Sequence, residues 1–144
     1  MEFFHDVPVK LSSRDIQRYV SISKLSEYCS SIDKVVSQEG NRALVHCEMG
    51  ELHIHRELIQ QGVRFTLIDT PYAMQWTITS DADSQDMPLI HCTINYRECP
   101  NELTEKLEHF LNCWKNGIEK LATKKTEQEH KSCPSCGETY GGFG

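Results

Sequence analysis

The chain has 144 residues, 38% hydrophobic and 25% charged, with a formal net charge of −6. That length suits one domain with a core of its own, and no apolar run approaches the roughly 20 residues that a bilayer-spanning helix needs. The acidic balance argues against nucleic acid as a partner, since phosphates would be repelled. The densest basic pair, Lys124-Lys125, sits where cations suit a helix end.

The opening Met1-Glu2-Phe3-Phe4-His5-Asp6 lacks the basic start and apolar stretch of a secretory signal. The simplest expectation is a cytoplasmic protein. Seven cysteines is a high and odd number, and without a secretory context a disulfide framework is not expected. Cys29, Cys47, Cys92, Cys99 and Cys113 read mostly as small buried hydrophobes.

In chain order, Phe3 to Leu11 predicts a first strand, weakened at Pro8, which has no amide to donate. Ser12-Ser13-Arg14-Asp15 reads as a helix start, with Ser12 as cap and Asp15 reaching back to it. Two short helices are expected between Ser12 and Ser31, the second capped by Ser23. From Asp33 the period changes to two. Val35-Val36 and Ala43 to Met49 form a hairpin about Gln38-Glu39-Gly40-Asn41, and Gly50-Glu51 is the next turn. Leu52 to Leu58 follows, with Leu52, Ile54 and Arg56 on one face and His53, His55 and Glu57 on the other. The turn Gln60-Gln61-Gly62 leads to strands at Val63 to Asp69 and Met74 to Ser80, separated by Thr70-Pro71-Tyr72. A polar loop at Asp81 to Asp86 precedes Leu89 to Tyr96, whose Ile90, Cys92, Ile94 and Tyr96 share a face. After Pro100, with Asn101 as cap, Leu103, Leu107, Phe110, Leu111, Trp114, Ile118 and Leu121 recur at spacings of three and four. They mark a long amphipathic helix. The sequence turns polar after Ala122, which places a domain over residues 1–125 and a tail over residues 126–144.

Consecutive strands with tight turns make an antiparallel meander. One helix cannot cover six or seven strands laid flat, so the sheet must curl round it. The expected class is α+β: a curved antiparallel sheet of about six or seven strands round a long C-terminal helix, with two short helices near the N-terminus. This order resembles the helix-grip fold of the START-like (SRPBCC) superfamily, in particular its heat-shock ATPase activator-like and polyketide-cyclase-like branches. The resemblance covers Phe3 to about Lys125. It is carried by Val9-Lys10-Leu11-Ser12-Ser13, by Trp76-Thr77-Ile78-Thr79 and Cys92-Thr93-Ile94-Asn95-Tyr96, and by the closing helix Phe110 to Leu121. Where the family often has a Trp after the first helices, this chain has Tyr28-Cys29-Ser30-Ser31.

The resemblance implies a mostly apolar pocket between helix and sheet. Its walls would be Trp76, Ile78, Ile94 and Tyr96 on the sheet and Phe110, Trp114 and Ile118 on the helix. The same residues also read simply as core. The expected partner is a small hydrophobic or amphipathic molecule, lipids among them. Two other functions remain open. One is a cyclase- or dehydratase-like enzyme using His55, His91 or Tyr96 for acid–base work. The other is a protein-interaction module of the ATPase-activator kind.

Two sets of residues suggest metal chemistry. His53 and His55 alternate onto one sheet face about 7 Å apart and would need a third ligand, such as His46 or His91, from another strand. In the tail, His130-Lys131-Ser132-Cys133-Pro134-Ser135-Cys136-Gly137 contains a C-P-x-C-G turn, half of a zinc knuckle. Cys133 and Cys136, with His130, would bind zinc. The fourth ligand would come from the domain or from the tail of a second copy, making a homodimer. A thiol–disulfide switch and a plain solvated tail are the alternatives. No glycine-rich phosphate loop is present.

Overall fold

Alternate residues are apolar in five successive runs, and the chain folds so that these point to one side. Val45 and Cys47, Leu52 and Ile54, Val63, Phe65 and Leu67, Trp76 and Ile78, and Ile90, Cys92 and Ile94 are all buried. The computed structural model describes residues 1–68, 70, 73–96 and 100–131; at 84 and 126–131 it describes the backbone alone. The strands are β1 (Glu2–Asp6), β2 (Ile32–Glu39), β3 (Arg42–Cys47), β4 (Gly50–Ile59), β5 (Gly62–Leu67), β6 (Gln75–Thr79) and β7 (Leu89–Thr93). The helices are α1 (Ser13–Tyr19), α2 (Leu25–Tyr28) and α3 (Asn101–Lys131), with 3-10 turns at Ile22–Lys24 and Ala82–Ser84.

All pairings are antiparallel, in the order β1-β7-β6-β5-β4-β3-β2. The sheet stays open, with β1 and β2 as its edges. It curls round α3, which turns Leu107, Phe110, Leu111, Trp114, Ile118 and Leu121 into the core, the stripe that its spacing predicts. The short helices α1 and α2 close the rest of the inner face with Ile16 and Leu25. The fold is thus the expected α+β, helix-grip-like arrangement.

Several boundaries differ from expectation, each for a local reason. The first strand ends at Asp6, short of Leu11, because the chain turns about Pro8, where the Val9 amide donates to the Val7 carbonyl at 2.8 Å. The turn expected at Gly50-Glu51 lies at Glu48-Met49 instead. Gly50, at φ +106°, takes up the reversal and already pairs with Cys47 in the ladder. No side chain caps the second helical stretch; Ser23 falls inside the 3-10 turn. The strand β7 stops at Thr93, leaving Tyr96 outside its alternation. The helix α3 runs past Ala122 to Lys131, since the polar segment after Ala122 is made mostly of good helix formers.

Polar contacts seat α1. The Ser12 hydroxyl accepts from the Asp15 amide at 3.2 Å and donates to the Asp15 carboxylate at 3.0 Å, the expected cap. Asp15 also pairs with Lys125 of α3. Burial alone would raise the Asp15 pKa, but Lys125, the Ser12 hydroxyl and Arg18 outweigh it and hold the group below its ordinary value. At the other end of α1, Arg56 donates from Nε to the Val20 carbonyl at 2.8 Å and from Nη2 to the Gln17 carbonyl at 2.7 Å. Gln17 in turn donates to the Ile59 carbonyl at 2.7 Å. Arg56 shares the inward face with Leu52 and Ile54, and its guanidinium satisfies carbonyls that a seven-residue helix leaves open. Arg56→Ala is expected to cost about 2–3 kcal/mol in urea unfolding. Arg56→Lys should recover only part of that, because an ammonium cannot hold both carbonyls in one planar fork. Equal stability of all three proteins would show that Arg56 does not hold α1.

Candidate functional site

The inner face of the sheet and α3 bring four large rings together. Trp76 on β6 and Phe65 on β5 face Trp114 and Phe110 on α3, and all are essentially inaccessible to solvent. Ring centroids lie 5.4 Å apart for Phe65–Trp76 and for Phe65–Trp114, 5.1 Å for Trp76–Phe110 and 6.1 Å for Trp76–Trp114. These are contact distances, with Phe110 edge-on to Trp76. Of the other residues expected to line a pocket, Ile78, Ile94 and Ile118 are buried in the same cluster. Tyr96 lies beyond the end of β7 and is 37% exposed. Sequence reasoning missed Phe65. Its signal was the alternation of Val63, Phe65 and Leu67 on a strand that pairs Phe65 directly with Trp76.

Polar atoms inside this cluster are few. The indole N–H groups of Trp76 and Trp114 are buried, and neither has an acceptor within hydrogen-bond distance among the described residues. An indole nitrogen can only donate, and a buried donor left unmade costs about 1–3 kcal/mol. The buried thiols near the interior are not nucleophiles. Burial pushes Cys92 up to about 12 and raises Cys29 strongly as well, so both stay protonated at neutral pH. Cys29, Cys47, Cys92 and Cys113 are free and buried, as expected; Cys99 lies outside the described residues.

The histidines considered for acid–base work lie on the opposite face of the sheet. His55 pairs in register with Arg42 and Thr66, away from Ile54. His91 stacks on Phe4 at 4.4 Å and bonds to Glu2 at 2.8 Å. His53 shares the outer face with His55, but neither His46 nor His91 joins them. His46 stands 3.5 Å from Asp33, and His91 is held by Glu2. In the tail, Cys133 and Cys136 lie outside the described residues, as does the side chain of His130.

No known family model matches this chain, and no curated protein matches it.

Proposed function

We propose that the protein binds a small amphipathic molecule between the sheet and α3, with an apolar body against the aromatic rings and a hydrogen-bond acceptor for the two indoles. The observation that carries this reading is the pair of buried indole donors, Trp76 and Trp114, that have no acceptor among the described residues and stand on facing elements of one aromatic cluster. Buried polar groups are almost always satisfied, so two neighbouring exceptions call for a partner. The order of elements supports the resemblance to START-like domains, which hold such ligands in this place. The rings touch, so an occupant takes space opened by turning a ring or tilting α3.

A cyclase- or dehydratase-like enzyme would need at least two titratable groups converging inside. The groups nearest the interior are protonated thiols, and His55 and His91 face outward. A docking module would present a contiguous apolar patch, whereas the exposed Phe4 on β1, Leu58 on β4 and Val36 on β2 stand on strands that are not neighbours in the sheet.

Native mass spectrometry of protein purified without chelator should show a retained small molecule. Titration with fatty acids, sterols and polycyclic ketones should change tryptophan fluorescence for at least one class, and Trp114→Phe should weaken that binding. A bare protein mass together with fluorescence indifferent to every class would overturn the reading.

A further inference from the structure

The interior offers donors but no charge. Among the described residues, the buried side-chain nitrogen and oxygen atoms without a hydrogen-bond partner are Trp76 Nε1, Trp114 Nε1, Ser80 Oγ and Thr70 Oγ1, all neutral. No described Lys, Arg or His is buried. Arg56 and His5, which share the alternation of the inner face, are engaged elsewhere. Arg56 gives its guanidinium to the Val20 and Gln17 carbonyls at 2.8 and 2.7 Å. His5 stands on the edge strand β1, with β7 between it and β6, and faces Glu108 at 3.5 Å. Cys29 and Cys92 add no charge either, because burial keeps both thiols protonated.

We infer, resting on the interior reading above, that the bound molecule is uncharged and meets the indoles with a carbonyl oxygen, as a ketone, aldehyde or ester does. A carbonyl oxygen has two lone pairs and no proton of its own, so its capacity matches the two donors, Trp76 and Trp114. Their rings stand on facing elements, 6.1 Å apart between centroids. An ionised carboxylate has about four lone-pair sites. Two neutral donors leave half of them bare, and with no buried cation to balance the charge its burial is strongly unfavourable. An ammonium group only donates, so it would leave both indole N–H groups unmade. The interior thus selects by charge as well as by polarity, and it rejects fatty acids in their ionised form.

The test is calorimetry on the full chain, stripped of any bound molecule, with two pairs of probes. Within each pair the methyl group on the carbonyl is exchanged for an ionisable hydroxyl and the rest of the molecule is kept. One pair is methyl undecyl ketone and dodecanoic acid; the other is methyl naphthyl ketone and naphthoic acid. For the skeleton that binds, the ketone should bind about tenfold or more tightly than the carboxylate at neutral pH. Trp76→Phe, which removes one donor and keeps most of the ring, should weaken the ketone by about threefold to tenfold.

A carboxylate that binds as tightly as its ketone overturns the inference and leaves the interior reading standing. Ketone binding that Trp76→Phe leaves unchanged overturns it as well. Indifference to all four probes also overturns it, and the native mass of the protein then decides whether the interior reading falls too.

Discussion

Replacing Gly117 by alanine is expected to destabilise the protein by about 3 kcal/mol or more, although alanine is the better helix former. A Cβ at Gly117 would stand 1.7 Å from the Tyr28 carbonyl oxygen, 2.5 Å from its carbon and 2.8 Å from its Cα. All three are backbone atoms at the end of α2, so no side chain can swing aside. The two helices must separate, and Leu25, Cys29 and Trp114 lose packing with them. Overpacking of this kind costs about 1–3 kcal/mol when side chains can yield and more when only backbone can. The propensity gain of about 1 kcal/mol does not offset it. Asn116→Ala, on the exposed side of the same turn, should leave stability within about 0.5 kcal/mol. A Gly117→Ala protein as stable as the parent in urea would mean that α3 does not cross α2 at this point.

The second large effect is expected at Trp114. Its ring is fully buried at the centre of α3, against Phe65 and Trp76. Truncation to alanine removes that contact and leaves a hole that rigid strands cannot fill, at a cost of about 3–5 kcal/mol. Trp114→Phe should cost much less, below about 2 kcal/mol. It keeps most of the apolar volume and also removes the indole donor that has no acceptor among the described residues. The contrast between the two variants in denaturant unfolding is therefore the measurement. If phenylalanine costs as much as alanine in protein stripped of any bound molecule, the indole N–H has a stabilising partner within the chain, and the argument for an acceptor-bearing ligand fails with it.

Much of this architecture was legible because single-residue periodicity is a local signal. The switch from a spacing of three and four at Ile16 and Tyr19 to alternation from Asp33 marks the passage from helix to sheet. The stripe from Leu103 to Leu121 is the face that α3 buries. Even where the turn was misplaced, at Gly50 rather than Glu48-Met49, Leu52, Ile54 and Arg56 keep their common face, because the offset does not change strand parity. What local pattern does not carry is distance in the chain. Arg56 reads as an anomaly on an apolar face until the α1 carbonyls are set above it. Gly117 reads as an ordinary weak point in a helix until Tyr28 crosses it. The polarity of the interior was likewise hidden, since an indole shows its apolar ring in a sequence pattern and its N–H only in a packed structure.

The pairing of β1 with β7 sets a timetable for synthesis. Glu2 joins Thr93, and Asp6 joins Leu89, so β1 must wait for the later-translated β7 before its ladder can form. At about 5–20 residues per second the delay is of the order of 5–20 s. Through that interval Phe3 and Phe4 lack the Cys92 and His91 partners that they have in the sheet. The rest of the meander can zip up hairpin by hairpin behind it. Closing the long loop between β1 and β7 is then the entropically costly event, and it comes last.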